Sequence, residues 1–340
     1  MMLPAIFGLS GLNLTPEERD FFAESNPLGY ILFARNIESK HQVRGLTDSL
    51  RELSGRDDLP ILIDQEGGRV ARLGPPEWCQ WPAAQDFARA YQRDPERARN
   101  AAACNFEALG LELAQVGVSV DCAPVLDVPV PGAHDIIGDR AFGDDPLTIA
   151  DLGQAAIDGF REAGVISVVK HIPGHGRAQA DSHEALPRVS ASAEMLARDL
   201  LPFQHHQGAP MAMTAHIVYE VWDPEQCATL SPTVIREVIR GSIGFDGLLM
   251  SDDLDMKALR GSIAERGLGA VQAGCDVALN CWGRMADMRD LAERLPTAGP
   301  DCHRRLERAM GDWRPCPEDA GDRQTDLIET RDRLLAACRG

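Results

Sequence analysis

Apolar and polar positions along this chain come in blocks. Short apolar runs are each followed by Gly, Pro or charged residues, a pattern typical of buried strands that end in loops. The runs that we predict to be strands lie at residues 4–9, 29–33, 59–63, 118–122, 165–169, 210–214, 247–250 and 275–280.

Longer segments between these runs carry the start and stop signals of helices. Thr15-Pro16-Glu17-Glu18 combines an N-cap Thr, a Pro in the first turn and a Glu that can reach back to the cap. Ser39 and Gln42 form a similar box, and Gly164 can end a helix. Further predicted helices occupy residues 95–115, 148–163, 192–206, 231–240 and 263–273.

Eight strands that alternate with helices predict an α/β fold, a single (β/α)8 TIM-type barrel. A doubly wound open sheet is the alternative, and the count of eight favours the barrel. We expect residues 1–340 to form one catalytic barrel, since no linker long enough to separate domains interrupts the chain. Residues 286–340 are predicted to be a C-terminal helical segment with a charged, Pro-interrupted link near 313–323.

The net charge of the chain limits the classes of partner that it is expected to bind. A formal net charge of −18 over 340 residues argues against nucleic acid and against an anionic membrane surface, because both require basic patches. No apolar run approaches the roughly 18 residues of a membrane span. The apolar N-terminus lacks the Lys or Arg of a signal peptide. We therefore expect a cytoplasmic protein with a small-molecule substrate, and a monomer, because no long exposed apolar helix demands a partner.

Cysteine usage points to the same compartment. The nine cysteines are scattered, no two form a C-x-x-C pair, and an odd number cannot all pair within the chain. This pattern is typical of reduced thiols in a cytosol and predicts neither a zinc site nor any other metal centre. No Gly-rich phosphate loop is present, so no nucleotide cofactor is expected.

Polar side chains recur where the predicted strands end. In a barrel these ends converge on one mouth, so carboxylates, a histidine and cations would meet there and could perform acid/base or nucleophilic chemistry. The residues at these strand ends are Asp64, Asp127, Lys170, His171, His216 and Asp252.

Several of these candidate residues have more than one possible interpretation. Asp252 and Asp253 both follow a strand, and spacing alone does not say which would be the reacting carboxylate. Asp181 and His183 form a D-x-H dyad in which the carboxylate can orient the imidazole, although this pattern also arises by chance. Surface salt bridges remain the alternative for the cations Arg72, Arg140 and Lys170.

Six motifs resemble, in order, the bacterial β-N-acetylhexosaminidases of glycoside hydrolase family 3, and the resemblance spans about residues 5–285. The loop that begins at Lys170, with its trailing Asp-Ser-His, is specific to this branch of the family. The motifs are Asp64-Gln-Glu-Gly-Gly-Arg-Val70, Ala123-Pro-Val-Leu-Asp127, Gly138-Asp-Arg-Ala-Phe142, Lys170-His-Ile-Pro-Gly-His-Gly176, Asp181-Ser-His183 and Gly244-Phe-Asp-Gly-Leu-Leu-Met-Ser-Asp-Asp253.

The resemblance implies a cofactor-free barrel that removes terminal N-acetylglucosamine from peptidoglycan fragments during cell-wall recycling, with retention of configuration. It implies that Asp252 is the nucleophile and that His183 is the general acid/base, with Asp181 as its partner. The residues that it implies hold the sugar are Asp64, Arg72, Arg140, Lys170 and His171.

Other functions for the same barrel remain open at this point. A metal-dependent hydrolase would also place His, Lys and Asp at strand ends, although it would normally need an early H-x-H pair. A sugar-binding module would lack either the acid or the nucleophile. A phosphorylase would use phosphate in place of water, and substrate assistance by the N-acetyl group would leave Asp252 without a covalent role.

Overall fold

A computed structural model describes residues 1–180 and 186–338 of the chain. The strands of this part are β1 (Leu3–Gly8), β2 (Pro27–Leu32), β3 (Ile61–Ile63), β4 (Gln65–Gly67), β5 (Val70–Ala71), β6 (Val120–Asp121), β7 (Ile166–Ile172), β8 (Arg188–Val189), β9 (Met211–Thr214), β10 (Val218–Tyr219), β11 (Leu248–Met250) and β12 (Ala278–Asn280). The α-helices are α1 (Pro16–Ser25), α2 (Lys40–Ser54), α3 (Ala84–Tyr91), α4 (Pro95–Gln115), α5 (Pro146–Glu162), α6 (Ala193–His205), α7 (Ile263–Ala273), α8 (Met285–Arg294), α9 (Pro300–Met310) and α10 (Ala320–Ala337).

Eight of these strands form one parallel sheet in the order β11, β9, β7, β6, β3, β2, β1 and β12. A further bridge between Met250 and Val277 joins β11 to the segment before β12, so the sheet closes on itself. Each of the eight predicted apolar runs overlaps one barrel strand. The predicted (β/α)8 barrel is therefore confirmed, and the open doubly wound sheet is excluded.

The core has two layers because strand side chains alternate between the two faces of the sheet. One layer fills the barrel and includes Val120 and Cys122 of the β6 region, and the other packs the strands against the helices and includes Ile61 and Ile63. Because the strands are buried on both faces, they are apolar at nearly every position.

Helix boundaries follow the predicted caps where those caps exist. The Thr15 hydroxyl accepts a hydrogen bond from the Glu18 N–H (3.1 Å), and the Glu18 carboxylate accepts one from the Thr15 N–H (2.8 Å). Two differences from the prediction stand out. α3 was not predicted, and the segment predicted as a helix at 231–240 is a π-helix, Val234–Ile243.

The C-terminal helices pack on the barrel in two places. Cys302, Ala309 and Met310 of α9 join the core inside the barrel and so cover its N-terminal end. α10 lies against α4, where Arg331 donates to Asn105 (3.1 Å). None of the described helices combines the length and apolar character needed to cross a membrane.

Candidate active site

A cavity of about 350 Å³ opens at the carboxyl ends of the barrel strands. Its volume lies at the small end of the range for ligand pockets, a size that suits one small molecule. Both charged and apolar side chains line the cavity. The lining residues are Ile31, Phe33, Asp64, Glu66, Arg69, Val70, Arg72, Ile136, Ile137, Arg140, Lys170, His171, His175, Met213, Asp252, Asp253, Leu279 and Cys281.

A buried lysine joins two carboxylates on one side of the cavity. Lys170 lies near the C-terminal end of β7 and places its Nζ 3.0 Å from Asp64 Oδ1 and 2.7 Å from Glu66 Oε1. Asp64 and Glu66 lie on the same side of the β3–β4 segment because side chains repeat every second residue along a strand. Only 2% of the Lys170 side chain is exposed, so this ammonium group is held by its partners and not by water.

Two arginines complete this charged side. Arg72 donates to Asp64 Oδ2 (3.1 Å), and its guanidinium lies over the Phe33 ring, 5.3 Å from the centroid. Arg140, on the 3-10 turn Gly138–Arg140, donates two parallel hydrogen bonds of 2.8 Å to the Glu66 carboxylate. Such bidentate pairs fix both position and orientation of the guanidinium.

The charges of this side are locked in their ionised forms. Burial alone would raise the pKa of Asp64 and of Glu66, but the neighbouring cations outweigh it. Lys170 and Arg72 hold the pKa of Asp64 well below its usual value, and Lys170 and Arg140 lower that of Glu66 to about 2. Burial acts to lower the pKa of Lys170, but the two carboxylates raise it overall.

A second carboxylate, Asp127, lies behind the cavity wall and organises two histidines. Asp127 accepts hydrogen bonds from the backbone N–H of His171 (3.1 Å) and of His175 (2.6 Å), and its other oxygen lies 2.7 Å from His171 Nδ1. A proton on Nδ1 therefore leaves Nε2 of His171 as the acceptor when the ring is neutral. Burial lowers the pKa of His175 to about 4.

The segment after β11 supplies carboxylates to the opposite side. Asp252 and Asp253 both line the cavity, and the Asp253 N–H donates to Asp252 Oδ1 (2.8 Å). Asp253 Oδ1 accepts hydrogen bonds from the backbone N–H groups of Asp255 (3.0 Å) and Cys281 (3.3 Å). Asp253 is thus engaged in holding its own loop.

His216, at the end of β9, supports this segment from behind. Its Nε2 lies 3.0 Å from the Asp253 carbonyl oxygen, which can only accept, so Nε2 carries the proton. Its Nδ1 accepts from the Thr229 hydroxyl at 2.7 Å. Burial lowers the pKa of His216, which favours this neutral form.

Two carboxylates of this segment, those of Asp253 and Asp255, have raised pKa values. Burial raises the pKa of Asp253 to about 7, and the nearby charges of Asp255 and Asp252 add to the rise. Burial likewise raises the pKa of Asp255, although Arg284 opposes it. The two sides of one cavity therefore differ in protonation near neutral pH.

Comparison with known proteins decides the family. The model of the glycosyl hydrolase family 3 N-terminal domain matches residues 8–309. The chain belongs to glycosyl hydrolase family 3.

Individual members of the family are similar over nearly the whole chain. A beta-hexosaminidase of Alkalilimnicola ehrlichii is 39% identical over 313 residues, which are 91% of this chain and 88% of that protein. The crystal structure of NagZ from Neisseria gonorrhoeae in complex with N-trifluoroacetyl-D-glucosamine superposes with a TM-score of 0.87 at 29% identity, covering 100% and 99% of the two chains. A family 3 beta-N-acetylglucosaminidase from a Paenibacillus species gives 0.80 at 33% identity, covering 97% of this chain and 61% of that one.

These findings confirm the predicted family and enzyme class, a glycoside hydrolase of the β-hexosaminidase type. Within this family 3 barrel, six of the eight predicted site residues line the cavity. Those six are Asp64, Arg72, Arg140, Lys170, His171 and Asp252. The other two, Asp181 and His183, lie outside the described residues.

Two strand-end residues that we expected at the mouth are placed differently. Asp127 and His216 are fully buried behind the cavity, where they hold backbone and histidine side chains. Lys170 and His171 belong to β7 itself and not to the loop after it. Glu66 was missed, although its position two residues after Asp64 in a strand would have placed it on the same side.

Proposed function

We propose that this family 3 hydrolase is a retaining exo-β-N-acetylglucosaminidase that removes terminal N-acetylglucosamine from peptidoglycan fragments in cell-wall recycling. The observation that carries the proposal is a cavity of single-sugar size with Asp252 on one side and the Asp64–Lys170–Glu66 network on the other. The N-acylated glucosamine named with the Neisseria gonorrhoeae structure supports this choice of sugar.

In this proposal the charged side binds the sugar hydroxyls. A carboxylate has about four acceptor sites, and the hydrogen bonds from Lys170 and Arg72 use two of those of Asp64. Asp64 can therefore accept from sugar hydroxyls, while Lys170, Arg72, Arg140 and His171 offer hydrogen-bonding groups to others. Because these groups are fixed by ion pairs before the sugar arrives, little reorganisation is needed on binding.

The proposed reaction has two steps. In the first, an Asp252 oxygen bonds to the anomeric carbon while the glycosidic C–O bond breaks and His183 gives its proton to the leaving oxygen. In the second, His183 takes a proton from water, whose oxygen displaces Asp252 from the sugar. Asp181 would orient His183 through both steps. Asp252 is assigned as nucleophile because the family resemblance gives that role to the Asp directly after Ser251, and Asp253 accepts two backbone hydrogen bonds that hold the loop.

The experiment that tests this proposal is intact-mass measurement after mixing with a fluorinated, activated N-acetylglucosaminide, followed by peptide mapping. An adduct on Asp252, absent in Asp252→Asn, is the expected result. Hydrolysis of an ordinary N-acetylglucosaminide without any adduct would replace covalent catalysis by substrate assistance. If neither an adduct nor hydrolysis were observed, the glycosidase proposal itself would be overturned.

We also propose that the chain works in the cytoplasm as a monomeric single catalytic unit, with residues 286–340 as its C-terminal helical segment. Nine free cysteines suit a reducing compartment, and α9 inside the base of the barrel links the segment to the catalytic core. One unfolding transition and a sedimentation mass of one chain are expected. Two transitions, or a dimer mass, would contradict these points.

A further inference from the structure

Trp282 directly follows Cys281, a residue that lines the cavity. It follows β12 directly and is 57% exposed, and no other aromatic side chain among the described residues is exposed. A single exposed apolar residue is ordinary on a protein surface, so exposure alone indicates no function. The neighbours of Trp282 are what make it unusual.

The backbone on both sides of Trp282 is tightly packed against neighbouring backbone. A Cβ on Gly8 would lie 2.0 Å from the Cys281 carbonyl oxygen, which also accepts a hydrogen bond from Arg35. Gly283 has φ +67°, and a Cβ there would lie 2.7 Å from the backbone carbonyl carbon of Leu9. Only glycine fits these positions, so the loop that carries the indole is held in one place.

Hydrogen bonds join the Trp282 loop to the loop of the proposed nucleophile. The Cys281 N–H donates to Asp253 (3.3 Å), and the Asn280 amide donates to Asp255 Oδ2 (2.6 Å). Cys281 lines the same cavity as the nucleophile, so the loop that carries Trp282 adjoins the cavity on the nucleophile side.

The indole ring is itself supported. The Arg284 guanidinium lies over it, 5.6 Å from the ring centroid. Arg284 in turn pairs with Asp255, whose side chain is 1% exposed, and with Asp287 at 2.6 Å. A stacked guanidinium restrains the ring and leaves more than half of the side-chain surface open to a ligand.

We propose that Trp282 is the platform for the leaving sugar, which makes the enzyme prefer N-acetylglucosaminides whose aglycone is a pyranose. This inference rests on the proposed function, because an exo-enzyme with a one-sugar cavity must leave the second sugar at the mouth. A pyranose presents an apolar C–H face, and a flat, fixed aromatic ring can cover that face at low entropic cost.

The test compares two substrates that differ only beyond the scissile bond. Methyl β-N-acetylglucosaminide has a small aglycone, and N,N′-diacetylchitobiose has a pyranose aglycone. For Trp282→Ala we expect kcat/KM on the disaccharide to fall about tenfold, mainly through KM, and kcat/KM on the methyl glycoside to stay within about twofold. Trp282→Phe should retain most disaccharide activity, whereas Trp282→Leu, which keeps apolar bulk without a flat face, should not.

The outcomes separate this inference from the function on which it rests. Equal losses on both substrates, or no loss on either, would overturn the platform while leaving the glycosidase intact. A folded wild-type protein that cleaves neither substrate would overturn the proposed function instead. Because Trp282 is exposed, the unfolding midpoint of all three variants should match that of wild type.

Discussion

The two sides of the cavity hold carboxylates in opposite electrostatic settings. On the β3–β7 side, two buried carboxylates meet three cations within 3.1 Å, so every charge has a partner. The members of this group are Asp64, Glu66, Arg72, Arg140 and Lys170. Here the cations overcome the cost of burial, and the carboxylates stay ionised.

The β11–β12 side has the reverse balance. Three carboxylates, those of Asp252, Asp253 and Asp255, follow one another within four residues. Arg284 pairs with the last of them from the edge, where its side chain is 57% exposed. Burial and mutual repulsion dominate at Asp253, so its pKa is raised to about 7.

The difference suggests a division of work. A side with fixed charges can bind and orient a sugar in the same way at every physiological pH. A side whose proton count changes near neutrality couples the field around Asp252 to pH. Binding and chemistry would then be tuned by separate groups, and each substitution below is designed to break or measure this separation.

The largest effect is expected from Lys170→Met. Removing the ammonium leaves Asp64 and Glu66 buried without the cation that joins them, and breaking such a network typically costs about 3–5 kcal/mol of unfolding free energy. Activity should fall at least about 100-fold, because the sugar-binding groups lose their fixed positions. Urea unfolding and kcat/KM on the methyl glycoside measure the two effects.

Arg69→Ala is the matched control for the stability measurement. Arg69 pairs with Asp139 at 2.9 Å, but both side chains are about 40% exposed, so the loss should be below about 1 kcal/mol. If Lys170→Met were no less stable than Arg69→Ala, the charged side would not be held together by its buried lysine.

Most of the fold could be predicted because barrel strands are buried on both faces and therefore apolar throughout. The missed elements lack that signal. α3 is a short helix whose N-cap position, Ala83, has a side chain that cannot cap, and the β4–β5 hairpin has strands of only three and two residues, of which β4 contains Gln, Glu and Gly. Their positions depend on packing against the barrel, which no local pattern encodes.

The site could be predicted only as far as strand ends converge. Asp64, Lys170 and Asp252 were found in this way, whereas Arg140 lies on a 3-10 turn far from any strand and came from the family resemblance. Whether a strand-end side chain faces the cavity depends on register. β7 shifts its pairing with β9 between Lys170 and Ile172, so spacing along the sequence does not show which way the side chains at the ends of these two strands face.

The next largest effect is expected from Glu66→Gln. The amide keeps the shape of the side chain, but its NH2 group cannot accept one of the two Arg140 hydrogen bonds, so the guanidinium loses its fixed orientation. If Arg140 binds the sugar in both ground and transition states, KM should rise roughly tenfold while kcat changes little. Steady-state kinetics on the methyl glycoside would show this.

Glu107→Gln provides the control for an ion pair lost elsewhere. Glu107 binds Arg323 between α4 and α10, away from the cavity, so its loss should leave KM and kcat unchanged. A fall in kcat for Glu66→Gln at unchanged KM would instead move Glu66 from substrate binding to the chemical step.

The most direct measure of the contrast is expected from Asp253→Asn. A carboxyl group with a raised pKa keeps its proton in the folded protein after the unfolded chain has lost it. Asp253 therefore contributes stability that is full below about pH 4 and is lost as pH rises to about 7, by at most about 1.4 kcal/mol per pH unit. The amide cannot ionise, yet its oxygen can still accept from the Asp255 and Cys281 N–H groups.

The quantity to measure is the difference in unfolding free energy between Asp253→Asn and wild type from pH 5 to 7. His175, whose pKa is lowered to about 4, acts with the opposite sign in this range but cancels in the difference. The free energy of unfolding of Asp253→Asn should increase relative to that of wild type as pH rises from 5 to 7. Asp246→Asn is the control. Hydrogen bonds from Arg304 lower the pKa of Asp246, so the difference in unfolding free energy between this variant and wild type should not change from pH 5 to 7. If the difference for Asp253→Asn also did not change with pH, both sides of the cavity would be equally ionised.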